Sequence, residues 1–242
     1  MRLLDLTLPA PAENLALEEA LLEETEAGQG GETLRFWESG VFFVVMGAGC
    51  HASADANLER CAADGIAVLR RCSGGGTVLQ GPGCLNCALI LDARARRELS
   101  SIAETNTHVL GRLARALESV CPGLRREGIS DLAVDGMKIS GSAQKRKRRF
   151  ILFHATLPHD FDPALVALYL REPARQPEYR AARPHARFMR NISAPPGRLK
   201  ELITAEWDAS APPPKTPCAP PLERMRGLVD SKYARDAWNL MF

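Results

Sequence analysis

Two segments of the chain carry residue types that could bind and activate an anionic group. The first runs from Arg70 to Thr77, where two arginines closely precede three consecutive glycines in the sequence RRCSGGGT. Glycines let backbone N–H groups approach an anion, and guanidinium groups offer planar donors to carboxylate or phosphate oxygens. The segment is neither a Walker A loop nor a GxGxxG fingerprint. It predicts a nucleotide-phosphate cradle, although a glycine triplet taken alone favours a hairpin turn with solvated arginines.

The second segment is the lysine-bearing sequence DLAVDGMKISGSA, which starts at Asp131. Alternation along a strand would place Lys138 and Ser140 on one face and Met137 and Ile139 on the other. Near a phosphoester, Lys138 would neutralise charge that develops in the transition state. On an exposed face it would only aid solubility, and this reading is favoured for the segment taken alone.

The seven cysteines indicate reduced thiols, because the number is odd, the chain is long and nothing points to secretion. Cys84 and Cys87 have the spacing of zinc ligands. No second CxxC pair follows, and no histidine follows at finger-like distance, so we expect no structural zinc site.

The composition is that of an ordinary globular protein, with 242 residues of which 45% are hydrophobic and 25% charged. It excludes disorder, collagen and coiled coil. The formal net charge is only +2, so attraction to a polyanion would need local clustering. No apolar run reaches the ~18 residues that span a bilayer, and the N-terminus does not resemble a signal peptide. We therefore expect a cytoplasmic protein without a membrane partner.

The elements that must position these segments alternate between strands and helices. The patterns predict helices at Glu13–Glu26, around Leu58 and Cys61, from Leu110 to Val120 and at Leu165–Leu170. They predict paired strands at Leu34–Trp37 and Val41–Met46, and further strands at 66–69, 77–79, 85–91, 133–134, 138–144 and 151–157. Turns are expected at Gly81–Gly83 and at Asp135-Gly136.

The last third of the chain has weaker signals. Residues 173–196 are rich in Pro and Arg without a period, which predicts a long ordered loop. Six prolines between Pro212 and Pro221 predict a stiff extended spacer before a last helix over Leu222–Phe242. We expect one domain of mixed α/β type over residues 1–242.

Taken together, the order and flanks of these segments resemble the lipoate–protein ligase A family. The resemblance covers nearly the whole chain, and the glycine loop with the lysine strand is specific to the wider lipoate, octanoate and biotin transfer superfamily. The GRGRxG loop of the biotin branch is missing. The matching segments are 14–22 (NLALEEALL), 70–77, Gly83 with Leu85-Asn86, 138–144 (KISGSAQ), His154 with Thr156-Leu157, Lys232-Tyr233 and Trp238-Asn239.

The resemblance implies a mixed, largely antiparallel sheet flanked by helices, of the biotin/lipoate ligase catalytic-domain type. It also implies two reactions in one site. ATP and lipoate, with Mg²⁺, form lipoyl-AMP and pyrophosphate, and a lysine of an acceptor lipoyl domain then takes the acyl group as an amide. In-line attack on a phosphate needs positioning and charge stabilisation more than a protein nucleophile.

The same resemblance implies roles for individual residues. Lys138 would be catalytic and would contact the acyl carbonyl and phosphate oxygens, while Asp131 would hold ribose or Mg²⁺. The residues implied to bind ATP or lipoyl-AMP are Arg71, Ser73, Gly74, Gly75, Gly76, Thr77, Val78, Leu79, Asn86, Asp131, Lys138, Ser140, His154 and Thr156.

Four features depart from the family pattern. Gln80 stands where a histidine is common, Ser130 where an asparagine often precedes Asp131, and Ala155 where a glycine usually follows His154. Gln80 and Ser130 can still form hydrogen bonds. The chain ends soon after Trp238, so we expect no C-terminal accessory domain and a requirement for a separate accessory protein in full activation.

The alternative function is an octanoyl or lipoyl acyltransferase that works without ATP through a cysteine thioester. One such branch places its cysteine after the lysine strand, where only the distant Cys218 occurs. Another places it shortly before that strand, where Cys121 is the only candidate. Cys121 lacks the expected surroundings, and the C-terminal end of a helix raises the pKa of a thiol.

A run of five basic residues, Lys145–Arg149, follows the lysine strand. No aromatic residue lies within the run to stack on bases, so nucleic-acid binding is not expected. Electrostatic steering of an acidic lipoyl-type acceptor domain, or a plain solvated loop, is favoured.

Overall fold

The computed structural model of the protein describes residues 1–173, 176–209 and 219–242. Ten strands occur in these ranges: β1 (Arg2–Asp5), β2 (Thr33–Trp37), β3 (Phe43–Met46), β4 (Ala67–Arg70), β5 (Val78–Gln80), β6 (Cys84–Asp92), β7 (Arg125–Glu127), β8 (Asp131–Val134), β9 (Met137–Arg146) and β10 (Phe150–Pro158). The helices are α1 (Pro11–Glu26), α2 (Ala52–Asp55), α3 (Leu58–Ala63), α4 (Ile102–Leu117), α5 (Val166–Tyr169), α6 (His185–Phe188), α7 (Pro196–Glu206), α8 (Leu222–Leu228) and α9 (Asp236–Asn239).

The strands form two sheets. The larger sheet has the order β1-β2-β6-β10-β9-β8-β7, and every neighbouring pair is antiparallel except β1 with β2. The smaller sheet has the order β4-β3-β5, with β3 parallel to β4 and antiparallel to β5. The predicted fold class, a mixed and largely antiparallel sheet with flanking helices, is confirmed.

Both faces of the large sheet are buried, each against a different set of elements. One face packs against the apolar stripe of α4 and against α7, through residues such as Leu113 and Ile203. The other face packs against α1 and against part of the small sheet, through residues such as Leu17, Val45 and Leu152. Because β6 is buried on both faces, apolar and polar residues do not alternate along its sequence CLNCALILD.

Local signals predicted several elements correctly. Helix α1 begins with Pro11, and the Ala10 N–H donates to the Glu13 carboxylate at 2.9 Å, which satisfies one of the free donors of the first turn. Asp135 and Gly136 have φ of 52° and 72°, as the tight turn between β8 and β9 requires. Leu110, Leu113 and Leu117 are all fully buried on α4.

The predicted pairing of the strands around Ser39-Gly40 is wrong. Strand β2 pairs with β1 and β6 in the large sheet, whereas β3 pairs with β4 and β5 in the small one. Both strands are buried throughout, so neither has an exposed face that would identify its partner. The turn at Gly81–Gly83 likewise carries the chain from one sheet to the other. Gly83 has φ +82°, and a Cβ there would lie 2.0 Å from the Asp160 carbonyl oxygen.

Several elements differ from the sequence prediction. Strands β1 and β7 and helix α7 were not predicted, and the 173–196 segment contains α6 and a 3-10 turn at Glu178–Arg180. The predicted last helix breaks into α8, a π-helical turn at Val229–Tyr233 and α9. Most of the predicted proline spacer, with Cys218, lies outside the described residues. Among the helices of the described ranges, none is both long and apolar enough to cross a membrane.

Candidate active site

A cavity lies on the α1 face of the large sheet, where that face meets the small sheet. Both predicted chemical segments reach it. Twelve of the predicted site residues line the cavity: Arg71, Gly75, Gly76, Thr77, Val78, Leu79, Asn86, Asp131, Lys138, Ser140, His154 and Thr156. Apolar side chains, including Leu15, Trp37 and Val45, contribute to its wall. The other two predicted residues do not line the cavity: Ser73 has no exposed surface and lies beneath the glycine loop, whereas Gly74 is an exposed residue of the loop itself.

The glycine loop is not a hairpin turn. Strands β4 and β5, which it connects, lie on opposite sides of β3. Arg70 is fully buried and Arg71 is 7% exposed, so the reading with solvated arginines is also wrong. Gly75 has φ +86°, and a Cβ there would lie 2.8 Å from the Arg71 Nη2 atom. A residue with a side chain would therefore disturb both the backbone and the arginine.

The two buried guanidinium groups are held by carbonyl oxygens. Arg71 donates to Gly74 O at 2.6 Å and to Gly76 O at 2.8 Å. Arg70 donates to carbonyls of two neighbouring segments: Gly47 O (3.0 Å), Ala48 O (3.3 Å), Cys50 O (2.7 Å), Trp238 O (2.9 Å) and Asn239 O (3.1 Å). Within the described residues neither forms an ion pair with a carboxylate, and burial lowers the pKa of Arg71 to about 10. Positive charge without a directly bonded counter-ion is thus concentrated under the loop.

A chain of hydrogen bonds connects Arg71 to helix α1. The Arg71 Nε–H donates to Ser73 Oγ at 3.0 Å, and Ser73 Oγ lies 2.7 Å from His154 Nε2. His154 Nδ1 lies 2.6 Å from Glu18 Oε2, and the Trp37 Nε1–H donates to Glu18 Oε1 at 2.7 Å. Burial would raise the pKa of the Glu18 carboxyl, but His154 and Arg35 bring it below its usual value. Glu18 and Trp37 were not among the predicted site residues.

Lys138 is held by a second network on β8 and β9. Its Nζ atom lies 2.8 Å from Asp131 Oδ1, and the Tyr179 hydroxyl donates to Asp131 Oδ2 at 2.8 Å. Burial and the Asp131 charge raise the pKa of Tyr179 well above its usual value. The register between β8 and β9 shifts beside Ala133, near Lys138. Ser140 is 2% exposed, and its Oγ atom has no hydrogen-bond partner among the described residues.

A third network fixes the amide of Gln80 at the cavity wall. Gln80 Nε2 donates to Thr156 Oγ1 at 2.9 Å, and the Thr156 hydroxyl donates to Asn86 Oδ1 at 2.9 Å. The Gln80 Oε1 atom is left without a donor in the part of the chain that the structure describes. Together with Ser140 Oγ, it leaves two buried polar atoms for a bound ligand to satisfy.

The residues present do not fit a metal site built by the protein alone. No cluster of three or more His, Cys, Asp or Glu side chains arranged to hold a metal ion occurs within residues 1–173, 176–209 and 219–242. Both oxygens of Asp131 are already bonded, to Lys138 and Tyr179, so the predicted contact with Mg²⁺ would displace one of them. Cys84 and Cys87 belong to different core clusters.

The cysteines are poorly placed for covalent chemistry. Cys121, the candidate nucleophile, lies in the α4 core and does not line the cavity. Of the cysteines whose positions are described, Cys84 alone lines it. Burial raises the pKa of the Cys84 thiol to about 12, so almost none of it is thiolate at neutral pH.

Sequence reasoning missed Glu18, Trp37 and Tyr179 for different reasons. A glutamate on the buried side of an amphipathic helix is a signal, because an unpaired carboxylate there is costly. Trp37 reads as an ordinary core aromatic residue. Tyr179 lies in an aperiodic segment 48 residues from Asp131, and only the folded chain brings the two together.

Comparisons with known proteins found related sequences. The sequence model of the lipoyl protein ligase A/B catalytic domain matches residues 10–204. The Mycoplasma pneumoniae protein named "Probable lipoate-protein ligase A" is 33% identical over 160 residues, which are 66% of this chain and 46% of that protein. "Octanoyltransferase LipM" of Brevibacillus brevis is 27% identical over 265 residues, covering 96% of this chain and 95% of its own length. The chain thus spans about half the length of the ligase relative.

Two solved structures share the fold. The bipartite lipoate protein ligase of Thermoplasma acidophilum, studied with its E2 lipoyl domain, gives a TM-score of 0.83 at 21% identity, over 99% of this chain and 95% of that chain. A lipoate-protein ligase A bound with ATP gives 0.81 at 20% identity, over 99% and 98%.

The family model covers most of the sequence, including the glycine loop, the lysine strand and His154. The chain therefore belongs to the lipoyl protein ligase A/B catalytic-domain family.

Proposed function

We propose that the protein is an ATP-dependent lipoate–protein ligase, which converts lipoate to lipoyl-AMP and transfers the lipoyl group to a lysine of an acceptor domain. The observation that carries the proposal is the charge distribution of the cavity. Arg71 lines the cavity at the glycine loop without a directly bonded carboxylate, and Lys138 reaches the same cavity paired with Asp131. Guanidinium and ammonium groups that face one cavity suit a polyphosphate, which offers several anionic oxygens to them.

In the first step a lipoate carboxylate oxygen attacks the α-phosphorus of ATP, and the bond to pyrophosphate breaks. Lys138 stabilises the charge that develops on the phosphate oxygens, and Asp131 orients its ammonium group. The glycine loop and Ser140 supply further hydrogen bonds. Mg²⁺ bound to the nucleotide would supply additional charge neutralisation.

In the second step the amine of the acceptor lysine attacks the lipoyl carbonyl carbon. The bond to AMP breaks, an amide forms, and AMP leaves with the electron pair while the amine loses a proton. Lys138 lies where it can stabilise the negative charge of this transition state as well. The apolar wall around Leu15, Trp37 and Val45 suits an alkyl chain.

A cysteine-dependent octanoyltransferase is the second candidate, because the chain matches the named octanoyltransferase over nearly its whole length. Two of the described thiols argue against it: Cys84 is protonated at neutral pH, and Cys121 is remote from the cavity.

The Thermoplasma system shows that a ligase of this fold can be bipartite. We therefore propose that a separate accessory protein assists activation here, with a lipoyl-type domain as acceptor.

Intact-mass measurement of the acceptor domain discriminates the two functions. One reaction contains the protein, ATP, Mg²⁺, lipoate and acceptor; a second replaces ATP and lipoate with synthetic lipoyl-AMP; a third contains octanoyl carrier protein without ATP. We expect lipoylation in the second reaction, ATP-dependent lipoylation in the first and no transfer in the third. Octanoyl transfer without ATP, with a covalent adduct on a cysteine of the protein, would assign the acyltransferase function instead.

A further inference from the structure

The chain of hydrogen bonds from Arg71 to Glu18 has one consistent direction of donation. Arginine can only donate, so Ser73 Oγ accepts from Arg71 Nε. Ser73 is completely buried, and its other side-chain contact within hydrogen-bond distance is His154 Nε2, so its own proton is donated there. His154 Nε2 must then be unprotonated, and the ring proton lies on Nδ1, 2.6 Å from Glu18 Oε2. Every bond in the chain therefore points towards the Glu18 carboxylate.

Glu18 ends this series of hydrogen bonds, because its carboxylate only accepts and has no proton to donate. Its two oxygens accept from His154 and from Trp37, and it carries the charge opposite to that of Arg71. Hydrogen bonds from His154 and Trp37 and the charge of Arg35 keep the pKa of Glu18 low despite its burial, so the carboxylate is available as an acceptor. These hydrogen bonds connect helix α1, strand β10 and the glycine loop, which are far apart in the sequence.

Because of its buried position, Ser73 can orient other side chains of the site but cannot contact a ligand itself. Because Ser73 does not line the cavity, it acts on a ligand only through the two lining residues to which it is bonded, Arg71 and His154. The remaining side-chain bonds of Arg71 go to Gly74 O, Gly76 O and Val45 O. The Arg71 Nε–H is shared between Ser73 Oγ at 3.0 Å and Gly74 O at 3.1 Å, so Ser73 and the Gly74 carbonyl together fix the plane of a guanidinium group that shapes the loop.

We propose that Glu18, His154 and Ser73 form a positioning relay that sets the orientation of Arg71 and of the glycine loop for binding an anion. The identity of the anion, the phosphates of ATP, rests on the proposed function. Within this relay Ser73 acts indirectly, in place of the direct contact with ATP or lipoyl-AMP implied by family resemblance. Glu18 and Ser73 are positioning residues.

The direct test is nitrogen-15 NMR of the imidazole and guanidinium groups in the ligand-free protein. We expect the His154 shifts of a ring protonated on Nδ1 and bare on Nε2, and an Arg71 Nε–H that exchanges slowly with water. Ser73→Ala and Glu18→Gln should accelerate that exchange at least tenfold. Glu19→Gln is the matched control, because Glu19 directly follows Glu18 in α1 but pairs with Lys232 and Tyr233 instead of His154.

The second test measures ATP affinity by calorimetry. Loss of one hydrogen bond in a chain that serves a charged group predicts about tenfold weaker ATP binding for Ser73→Ala and for Glu18→Gln. The double variant should be no weaker than the worse single variant, because both changes break the same chain. Glu19→Gln should lower the unfolding temperature without this loss of affinity.

Two results would overturn the relay. One is a wild-type His154 that is protonated on Nε2, and the other is an Arg71 Nε–H whose exchange is unchanged in Ser73→Ala. Ser73→Ala removes a single oxygen, so it also tests the relay if Glu18→Gln does not fold. Absence of ATP binding by the wild-type protein would count against the proposed function alone, because the NMR results do not require ATP.

Discussion

At the scale of single residues, the site depends on how buried charges are compensated. Lys138 has a carboxylate partner at 2.8 Å, whereas Arg71, which also lines the cavity, is bonded directly only to dipolar groups in the described structure. The first arrangement holds an ammonium group in a defined place. The second leaves positive charge to be neutralised by a ligand. A cavity that combines both can bind an anion and direct a cation at its reacting atoms.

Lys138→Ala is predicted to reduce lipoyl-AMP formation by roughly 100-fold or more, since the lysine acts on the developing charge of the transition state. Asp131 keeps the hydrogen bond from Tyr179, so the fold should persist. The measurement is pyrophosphate release, with circular dichroism to check folding. Lys147→Ala, which removes an ammonium group whose ion pair is with Glu23, is the control. Release at the wild-type rate in Lys138→Ala would remove the lysine from the mechanism.

The thiols are predicted to stay unmodified by an acyl donor. Burial raises the pKa of Cys84 to about 12 and also raises that of Cys121, so neither supplies a thiolate near pH 7.5. After incubation with octanoyl carrier protein, peptide mapping should find no thioester at either position. Cys121→Ser should retain activity, because Cys121 lies in the α4 core. An acyl group on Cys121 that is lost in this variant would contradict the adenylate route.

At the scale of elements, the glycine loop works because its ends are held by strands on opposite sides of β3. Its glycines are not equivalent. Gly75 combines φ +86° with a Cβ position 2.8 Å from Arg71 Nη2, whereas a Cβ on Gly74 would meet no atom within 4 Å. The loop therefore has one position where glycine is required and a neighbour where it is not.

Gly75→Val is predicted to weaken ATP binding by at least tenfold, because a β-branched residue at positive φ forces the loop and Arg71 to move. Gly74→Ala is the matched substitution, and we expect ATP affinity within about twofold of wild type. Calorimetric titration of both variants checks the pair. Equal affinities in Gly75→Val and Gly74→Ala would mean that the loop does not contact the nucleotide.

The residues of the basic run Lys145–Arg149 differ in their contacts: some bind neighbouring parts of the protein and others do not. Arg146 donates to Leu99 O and Thr105 Oγ1 at the start of α4, and Arg149 binds Asp92. These residues hold structure together. Within the described residues the side chains of Lys145 and Arg148 form no hydrogen bond or ion pair, so these two are the better candidates for steering a partner.

At the scale of the whole molecule, the large sheet places its reactive face between α1 and the small sheet. Helix α1, the glycine loop, β9, β10 and the segment with Tyr179 come from distant parts of the sequence and meet there. The C-terminal segment also takes part, since Trp238 and Asn239 accept bonds from Arg70. Such convergence makes the geometry of the site dependent on the complete fold.

Steering of an acidic acceptor domain is a prediction at this scale. Reversing Lys145 and Arg148 to glutamate should slow acyl transfer to the acceptor at low salt and leave lipoyl-AMP formation unchanged. The effect should vanish at high salt, because surface charges are screened beyond about 8 Å at physiological ionic strength and over shorter distances above it. Stopped-flow transfer rates at several salt concentrations provide the measurement. Equal rates at low salt would identify the run as a solvated loop.

The sequence by itself determined the features that depend on neighbouring residues. The helix-forming composition of α1, the apolar period of α4, the turn at Asp135-Gly136 and the glycine loop with its two arginines are all local signals. The lysine strand is a local signal too, and Lys138 does reach the cavity. These features suffice to indicate the family and most of the residues around the site.

The tertiary structure decided what depends on contacts between distant residues. It assigned β2 and β3 to different sheets, because a strand buried on both faces does not specify its partner. It placed Ser73 behind the loop and Glu18 and Trp37 beside His154. It also placed Cys84 at the cavity with a raised pKa, a property that burial alone creates. Burial, pairing and the direction of hydrogen bonds arise only when the chain is folded, so no local pattern could supply them.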